Sequence, residues 1–295
     1  MNPAKSPQQL ALQTLPISLA DALSSMLGEG VTHCFSATQF QTLQEISGMG
    51  QVELSQALLP FAASYSQPFV SGFKVGALAQ DDQGRWFIGA NLEIPNEALN
   101  HSLHAEQSVL HNAWCHGARR LLHITINASP CGHCRQFLNE VADGAAMQVS
   151  IPQGQRQLGQ LLPDSFTPAD LGVEQPLLVH HGAELAHDSE DTLTQLAITQ
   201  ANASYAPYSK NYAAIALETA SGQQFFGRYA ENAAYNPSLM PVQGALSQMA
   251  LSGNFEQPIV RAVLVESSQG SISLANASMD ALHAIADVQL EHWVL

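Results

Sequence analysis

The sequence repeats a set of landmarks at a nearly constant spacing, and that repeat limits the folds open to it. Pro68-Phe69 returns as Pro207-Tyr208, and Ala77-Leu78 as Ala216-Leu217, both at an offset of 139 in numbering. Gly89 returns as Gly227 and Glu93 as Glu231, both at an offset of 138; Ile124-Thr125-Ile126 returns as Val263-Leu264-Val265, again at 139. Two copies are too few for a solenoid, whose units bury their apolar faces only when several stack. They fit two like domains, each alternating strands and helices around a mixed sheet. A chain of 295 residues has room for both.

Local patterns fill in the elements. Phe73 to Leu78 reads as a strand, Asp81-Asp82-Gln83-Gly84 as a turn and Trp86 to Glu93 as a second strand, giving a hairpin. Apolar residues at 103, 109, 110, 113 and 114 share one face of a helix from Leu103 to Trp114. A strand at His123–Ile126, a helix at Cys131–Val141 and a strand at Met147–Ile151 follow. Residues 8–60 read as a helical lead-in, with Leu19, Leu23, Met26 and Leu27 at helical spacing after Pro16 and Gly28 as a stop. Residues 152–187, rich in Pro and Gly, read as a linker with a short helix. The expected division is an N-terminal helical segment at 1–47, one domain at 48–168, a linker at 169–186 and a second domain at 187–295. The fold class is α/β: two tandem three-layer α/β/α domains, each a mixed sheet flanked by helices.

Charge narrows the partners. Ten Lys and Arg stand against 25 Asp and Glu, a net charge of −15. Such a chain lacks the basic footprint that nucleic-acid binding requires, so a neutral small molecule is the better substrate class. No apolar run approaches the ~20 residues of a membrane span, and the first 30 residues lack a signal-peptide pattern. Four cysteines (34, 115, 131, 134) in a chain of this length are no disulfide framework. A cytoplasmic, reducing location is expected.

The chemistry is concentrated in His104-Ala105-Glu106 and Pro130-Cys131-Gly132-His133-Cys134. His104, Cys131 and Cys134 suit Zn²⁺ and leave a fourth tetrahedral position open. His104 and Glu106, two apart, would point to opposite sides in mid-helix but can converge from a first turn, since helical side chains lean toward the N-terminus. Cys131 and Cys134 share a face at the start of the next helix, where the helix dipole favours thiolates. Zinc with two thiolates and a neutral imidazole is formally neutral, so the site should still acidify a bound water. Glu106 can take that water's proton, pass it to the ring nitrogen of an amidine-like substrate and later protonate a departing amine. A purely structural zinc would need a fourth protein ligand, for which His133, His101 and Cys115 are the candidates. A redox Cys-x-x-Cys would leave the upstream His-x-Glu unused. In the second copy, an offset of 138 sets Val242-Gln243-Gly244 opposite His-Ala-Glu, Pro241 suits a first helical turn, and no Cys follows Cys134. One zinc per chain is expected, with the second copy degenerate.

These motifs resemble the cytidine deaminase family, in particular its long, two-domain, homodimeric bacterial branch. The likeness is carried by His104-Ala105-Glu106-Gln107-Ser108, by Pro130 through Phe137, by Gly89-Ala90-Asn91-Leu92-Glu93, and in the second half by Ala206-Pro207-Tyr208-Ser209-Lys210 and Tyr229-Ala230-Glu231-Asn232-Ala233. It runs from about Leu54 to the C-terminus. It implies deaminase-like domains and hydrolytic deamination of cytidine and 2′-deoxycytidine to uridine and 2′-deoxyuridine, with release of ammonia, in pyrimidine salvage. Asn91 and Glu93, at i and i+2, share one side of a strand; the resemblance has them bind the ribose, Glu93 at the 3′-hydroxyl. A carboxylate there would repel a phosphate, favouring nucleosides over nucleotides. The resemblance further implies that Phe73 stacks on the pyrimidine, that Ala105 and Ser129 (where Thr is expected) offer backbone groups to the base, and that Phe166 and Ala233 come from the partner subunit. Lys74 and Ser71-Gly72 depart from the usual surroundings of the aromatic position. The rival readings are a deaminase acting on nucleic acid and a non-catalytic module with structural zinc.

Overall fold

The computed structural model describes residues 6–28, 33–179 and 182–295; His180, His181 and two parts of the expected N-terminal helical stretch, 1–5 and 29–32, lie outside them. The N-terminal segment holds helices α1 (Pro7–Leu12), α2 (Ile17–Gly28) and α3 (Ala37–Ser47), with the short strand β1 (Cys34–Phe35) between α2 and α3. The first copy follows as α4 (Gln51–Ala57), α5 (Leu59–Ala63), β2 (Gly76–Asp81), β3 (Trp86–Ala90), α6 (Ala105–Cys115), β4 (Leu121–Ile126), α7 (Gly132–Leu138), β5 (Gln148–Ile151), β6 (Gly154–Gln157) and α8 (Leu158–Leu161). The second copy is α9 (Thr192–Asn202), β7 (Ala213–Thr219), β8 (Gln224–Arg228), α10 (Pro241–Leu251), β9 (Ile259–Glu266), α11 (Ala275–His283) and β10 (Leu290–Val294).

The repeat is visible in strand order and in register. The first sheet runs β1-β3-β2-β4-β5-β6 and the second β8-β7-β9-β10. In both, the inner hairpin and its neighbour are antiparallel and the next pair is parallel (β4 with β5, β9 with β10). Even an irregularity is copied: the ladder slips between Gln80 and Asp81 in one sheet and between Glu218 and Thr219, the equivalent step, in the other.

Strand alternation makes the three layers. Leu78, Trp86 and Ile88 face α1–α5 on one side of the first sheet; Ala77, Ala79 and Phe87 face α6 on the other. In the second sheet Ala214, Ala216, Val263 and Val265 face α9, while Ile215, Leu217 and Leu264 face α10. The α6 and α10 sides merge into one apolar core that includes residues of both copies. Polar bonds cross the same seam: Ser108 Oγ lies 2.7 Å from Ser247 Oγ, and the Arg228 N–H donates to His111 Nε2 at 3.2 Å. Burial pushes His111 down to about 3, which keeps it a neutral acceptor.

The register corrects the landmarks read at an offset of 139: Ala77 lies opposite Gly89 and Ile215 opposite Gly227, so Ile215, not Ala216, answers to Ala77 and the strand offset is 138. Four further features differ from the sequence expectation. Strand β2 begins at Gly76 rather than Phe73, because the Asn91 carboxamide occupies the Val75 N–H (2.8 Å) and the Phe73 carbonyl (2.9 Å). β1 is too short to carry a periodic pattern, yet it extends the first sheet by pairing Cys34 with Phe87. β6 lies in the stretch expected to be linker; all four of its residues are exposed, so it shows no apolar alternation. The fourth difference concerns the second copy. The start of α10 is offset from that of α6 by 136 (241 against 105), although the end of β8 is offset from that of β3 by 138 (228 against 90). The connection is shorter by two positions, so Met240-Pro241-Val242, not Val242-Gln243-Gly244, occupy the places of His104-Ala105-Glu106.

Two glycines show why these helices sit where they do. A Cβ on Gly89 would run into the Val109 amide and the Ala105 carbonyl of α6; one on Gly227 would meet the Ala245 amide and the Pro241 carbonyl of α10. Backbone cannot give way as a flexible side chain can. Gly89→Ala or Gly227→Ala is expected to cost about 3 kcal/mol, the upper range for overpacking, read as a lower urea midpoint. An unchanged midpoint would show that helix and strand approach less closely than this.

Candidate active site

Two helix starts converge at one point. His104 is the N-cap of α6, in extended conformation, and its N–H donates to Oε1 of Gln107 at 3.4 Å. Cys131 is the N-cap of α7, just after Pro130, and its Sγ accepts the Cys134 N–H at 3.5 Å. The caps aim their side chains beyond the helix ends, which is how His-x-Glu and Cys-x-x-Cys spacings become compatible with one centre. His104 Nδ1 lies 3.1 Å from Cys134 Sγ and 3.5 Å from Cys131 Sγ, and the two sulfurs are 3.4 Å apart. Tetrahedral zinc, with bonds of about 2.0–2.3 Å, sets its ligand atoms roughly 3.3–3.8 Å apart. One imidazole nitrogen and two thiol sulfurs at these separations fit Zn²⁺ after adjustments of a few tenths of an ångström.

Electrostatics support the same use. The hydrogen bond from Cys134 and that of His104 pull the Cys131 thiol well down, while the bond to Cys131 and burial push Cys134 up. Cys131 is thus the readier of the two thiols to give up its proton, and a bound cation would have to displace the proton from Cys134. Glu106, in the first turn of α6, is 4% exposed, and burial first of all pushes its carboxyl up. A carboxyl so placed holds a proton more readily than an exposed one, as a group that must both take and return a proton requires. Among the described residues no fourth His, Cys, Asp or Glu joins the group, and no second such group exists. Of the three fourth-ligand candidates, the His133 ring lies 5.8 Å from that of His104, His101 ends a 3-10 turn ahead of α6, and the Cys115 sulfur rests against His111. A metal held by this trio would find no fourth protein ligand among the described residues, which would leave a position for water.

The expected substrate groups divide into those beside this centre and those away from it. Asn91 and Glu93 both reach toward the 70–75 loop. Glu93 accepts from the Val70 N–H (2.6 Å), the Ser71 N–H (2.8 Å) and the Ser71 hydroxyl. Burial works against its charge, but the Ser71 and Val70 bonds and the nearby His104 hold its carboxyl below the usual range. Three donors leave it about one lone pair for a further hydroxyl. Phe73, on that loop, is 61% exposed. Ala105 is buried at the first position of α6, and Ser129 is exposed just before Pro130. Phe166 and Ala233 are instead held at the far end of α7: the Phe166 carbonyl accepts from Gln136 Nε2 at 2.8 Å, and the Ala233 N–H donates to Glu140 at 2.9 Å. Gln136 lies within the Pro130–Phe137 motif but has no role assigned from it, and no motif in the sequence marks Glu140. A cleft of about 910 Å³ opens from His104 and His133 toward Tyr208, Glu231 and Met240 of the second copy. No helix among the described residues is long and apolar enough to cross a membrane.

A duplicated α/β/α fold with an open His-Cys-Cys zinc site and a buried carboxyl beside it defines a zinc-dependent deaminase. The family description "Cytidine and deoxycytidylate deaminase zinc-binding region" matches twice, at residues 53–149 and 158–279. The cytidine deaminase of Shewanella sp. (strain MR-4) is 48% identical over 286 residues, covering 97% of each chain. That of Shewanella amazonensis is 50% identical over 285 residues, 96% of each. A solved cytidine deaminase from Mycobacterium tuberculosis is 33% identical and covers 40% of this chain and 98% of its own, with a TM-score of 0.37. The chain belongs to the cytidine deaminase family.

The geometry separates metal binding from proton transfer. Cys131→Ala should purify without stoichiometric zinc, whereas Glu106→Gln should keep about one zinc per chain, because only the former removes a ligand. Metal analysis after gel filtration checks both. Zinc lost equally from the two variants would place Glu106 among the ligands.

Proposed function

We propose that the chain deaminates cytidine and 2′-deoxycytidine hydrolytically, giving uridine or 2′-deoxyuridine and ammonia, and so serves pyrimidine salvage. The carrying observation is the buried carboxyl of Glu106 set against three metal-ligand atoms within 3.1–3.5 Å of one another. Zinc held by His104, Cys131 and Cys134 supplies the Lewis acid that makes a water nucleophilic near neutral pH. Glu106 takes the water's proton and delivers it to N3 of the pyrimidine as oxygen adds at C4, then takes the remaining proton of that oxygen and gives it to the amine as the C4–N bond breaks and the carbonyl forms. Backbone groups of Ala105 and Ser129 orient the base, and exposed Phe73 closes over its face. Glu93 accepts the ribose hydroxyl with its remaining lone pair, with Asn91 holding the loop beside it. The net charge of −15 and the Glu93 carboxylate both disfavour phosphorylated substrates.

The same reading includes a homodimer. Phe166 and Ala233 are tied to the end of α7 opposite the cysteines, a placement suited to completing the partner's site. It also includes the two-domain division, 48–168 and 187–295 with 169–186 between. A cytoplasmic location is supported by four free cysteines, of which Cys34 is pushed up to about 11 and Cys115 to about 12 by burial, leaving both inert.

Loss of cytidine absorbance by the zinc-loaded protein tests the reading directly, and the absence of turnover on either nucleoside would overturn it. Glu106→Gln should lower kcat at least about a hundredfold. Glu93→Ala should act mainly on KM. An unfolding temperature that rises with protein concentration is expected of the dimer; one independent of concentration would speak for a monomer.

A further inference from the structure

Glu140 is a buried ionisable group that the chemistry above does not use. It comes after Asn139, the C-cap of α7, and is fully buried. Its Oε1 accepts from the hydroxyls of Tyr205 (2.8 Å) and Tyr208 (2.6 Å), and its Oε2 from the Ala233 N–H (2.9 Å). All three donors belong to the second copy. Burying a carboxylate is costly unless its hydrogen bonds are complete, so this one makes the end of α7 and the second copy a single unit.

The donors have a history in the repeat. At an offset of 138, Tyr205 and Tyr208 correspond to Gln67 and Val70, at the base of the loop that carries Phe73. Glu231 holds the Tyr208 N–H (2.7 Å) and the Ser209 N–H (3.1 Å), as Glu93 holds Val70 and Ser71. The degenerate copy has kept its loop anchor and turned the loop toward Glu140. Around the same turn, the Gln136 carbonyl accepts from Asn232 Nδ2 at 3.0 Å, and Gln136 Nε2 donates to the Phe166 carbonyl. A helix roughly 10 Å long therefore begins among its own zinc ligands and ends on the two segments expected to serve the other subunit.

We propose that Glu140 is a positioning residue that acts in trans: from one subunit it fixes the Asn232–Ala233 backbone that completes the nucleoside site of the other. The inference rests on the cytidine deaminase reading and its homodimer. Glu140→Gln sets an amide against donors that a carboxylate accepts. The variant should fold, keep its zinc and show a KM for cytidine about tenfold higher or more, the loss expected for a hydrogen bond to a charged group, with kcat nearly unchanged. Tyr208→Phe, which keeps the ring and deletes one donor, should shift KM the same way by less, and it carries the test if Glu140→Gln does not fold.

The decisive experiment mixes subunits. Glu140→Gln and Glu106→Gln chains with different tags are co-expressed and the doubly tagged dimer is isolated. Its one site with an intact Glu106 faces the intact Glu140 of the other chain, so a low-KM activity should return at about half the wild-type rate per dimer, one working site of two. A mixed dimer showing only the high KM overturns action in trans, and a normal KM in the Glu140→Gln homodimer overturns the positioning role. If the wild-type protein does not turn over cytidine, or the tags never co-purify, the underlying reading fails instead, and wild-type controls distinguish the two cases.

Discussion

The approach of α6 to β3 is the contact on which the rest of the site depends. At Gly89 the helix backbone meets the strand with no room for a Cβ, so the N-terminus of α6 is set by packing rather than by its loop. His104 and Glu106 leave that terminus in fixed directions, and α7 must bring Cys131 and Cys134 to meet them. Metal-site geometry tolerates displacements of only a few tenths of an ångström. A glycine with no chemistry of its own thereby governs where the chemistry stands.

Much of this is legible in the residues. Three soft ligands and a carboxyl at their spacings specify a metal with an open position, and the repeat specifies two like sheets. The helix starts can be placed because a His-x-Glu pair reaches one point only from a first turn. What is not legible has physical reasons. β6 is exposed on both faces and β1 is only a two-residue bridge, so neither carries an alternation to read. Strand landmarks do not report a shortened connection between strand and helix, so they set the second copy's counterpart of His104 two positions too late. Glu140 looks like any polar residue at a helix end; only its three partners, all far away in sequence, distinguish it.

The second copy shows how a duplicated site can lose its reaction and keep its mechanics. Met240 and Val242 stand where a ligand and a proton carrier would be, and the cysteines are gone. The Glu231 anchor, the turn at Ser209 and the sheet register have stayed. They are the parts that hold the second copy to its own sheet and to Glu140 of the first, whereas ligands without substrate are free to drift.

The apolar core that runs without a break from the α6 side of one sheet to the α10 side of the other bears on the persistence of the silent half. Residues of both copies contribute to it, so parting the copies would expose apolar surface on each. The copies should melt as one cooperative unit, and neither should survive alone as a soluble fragment. Once a gene duplication has merged two cores in this way, deleting the inactive partner exposes the interior of the active one. The chain is then held to its full length by solvation, whatever the demands of catalysis.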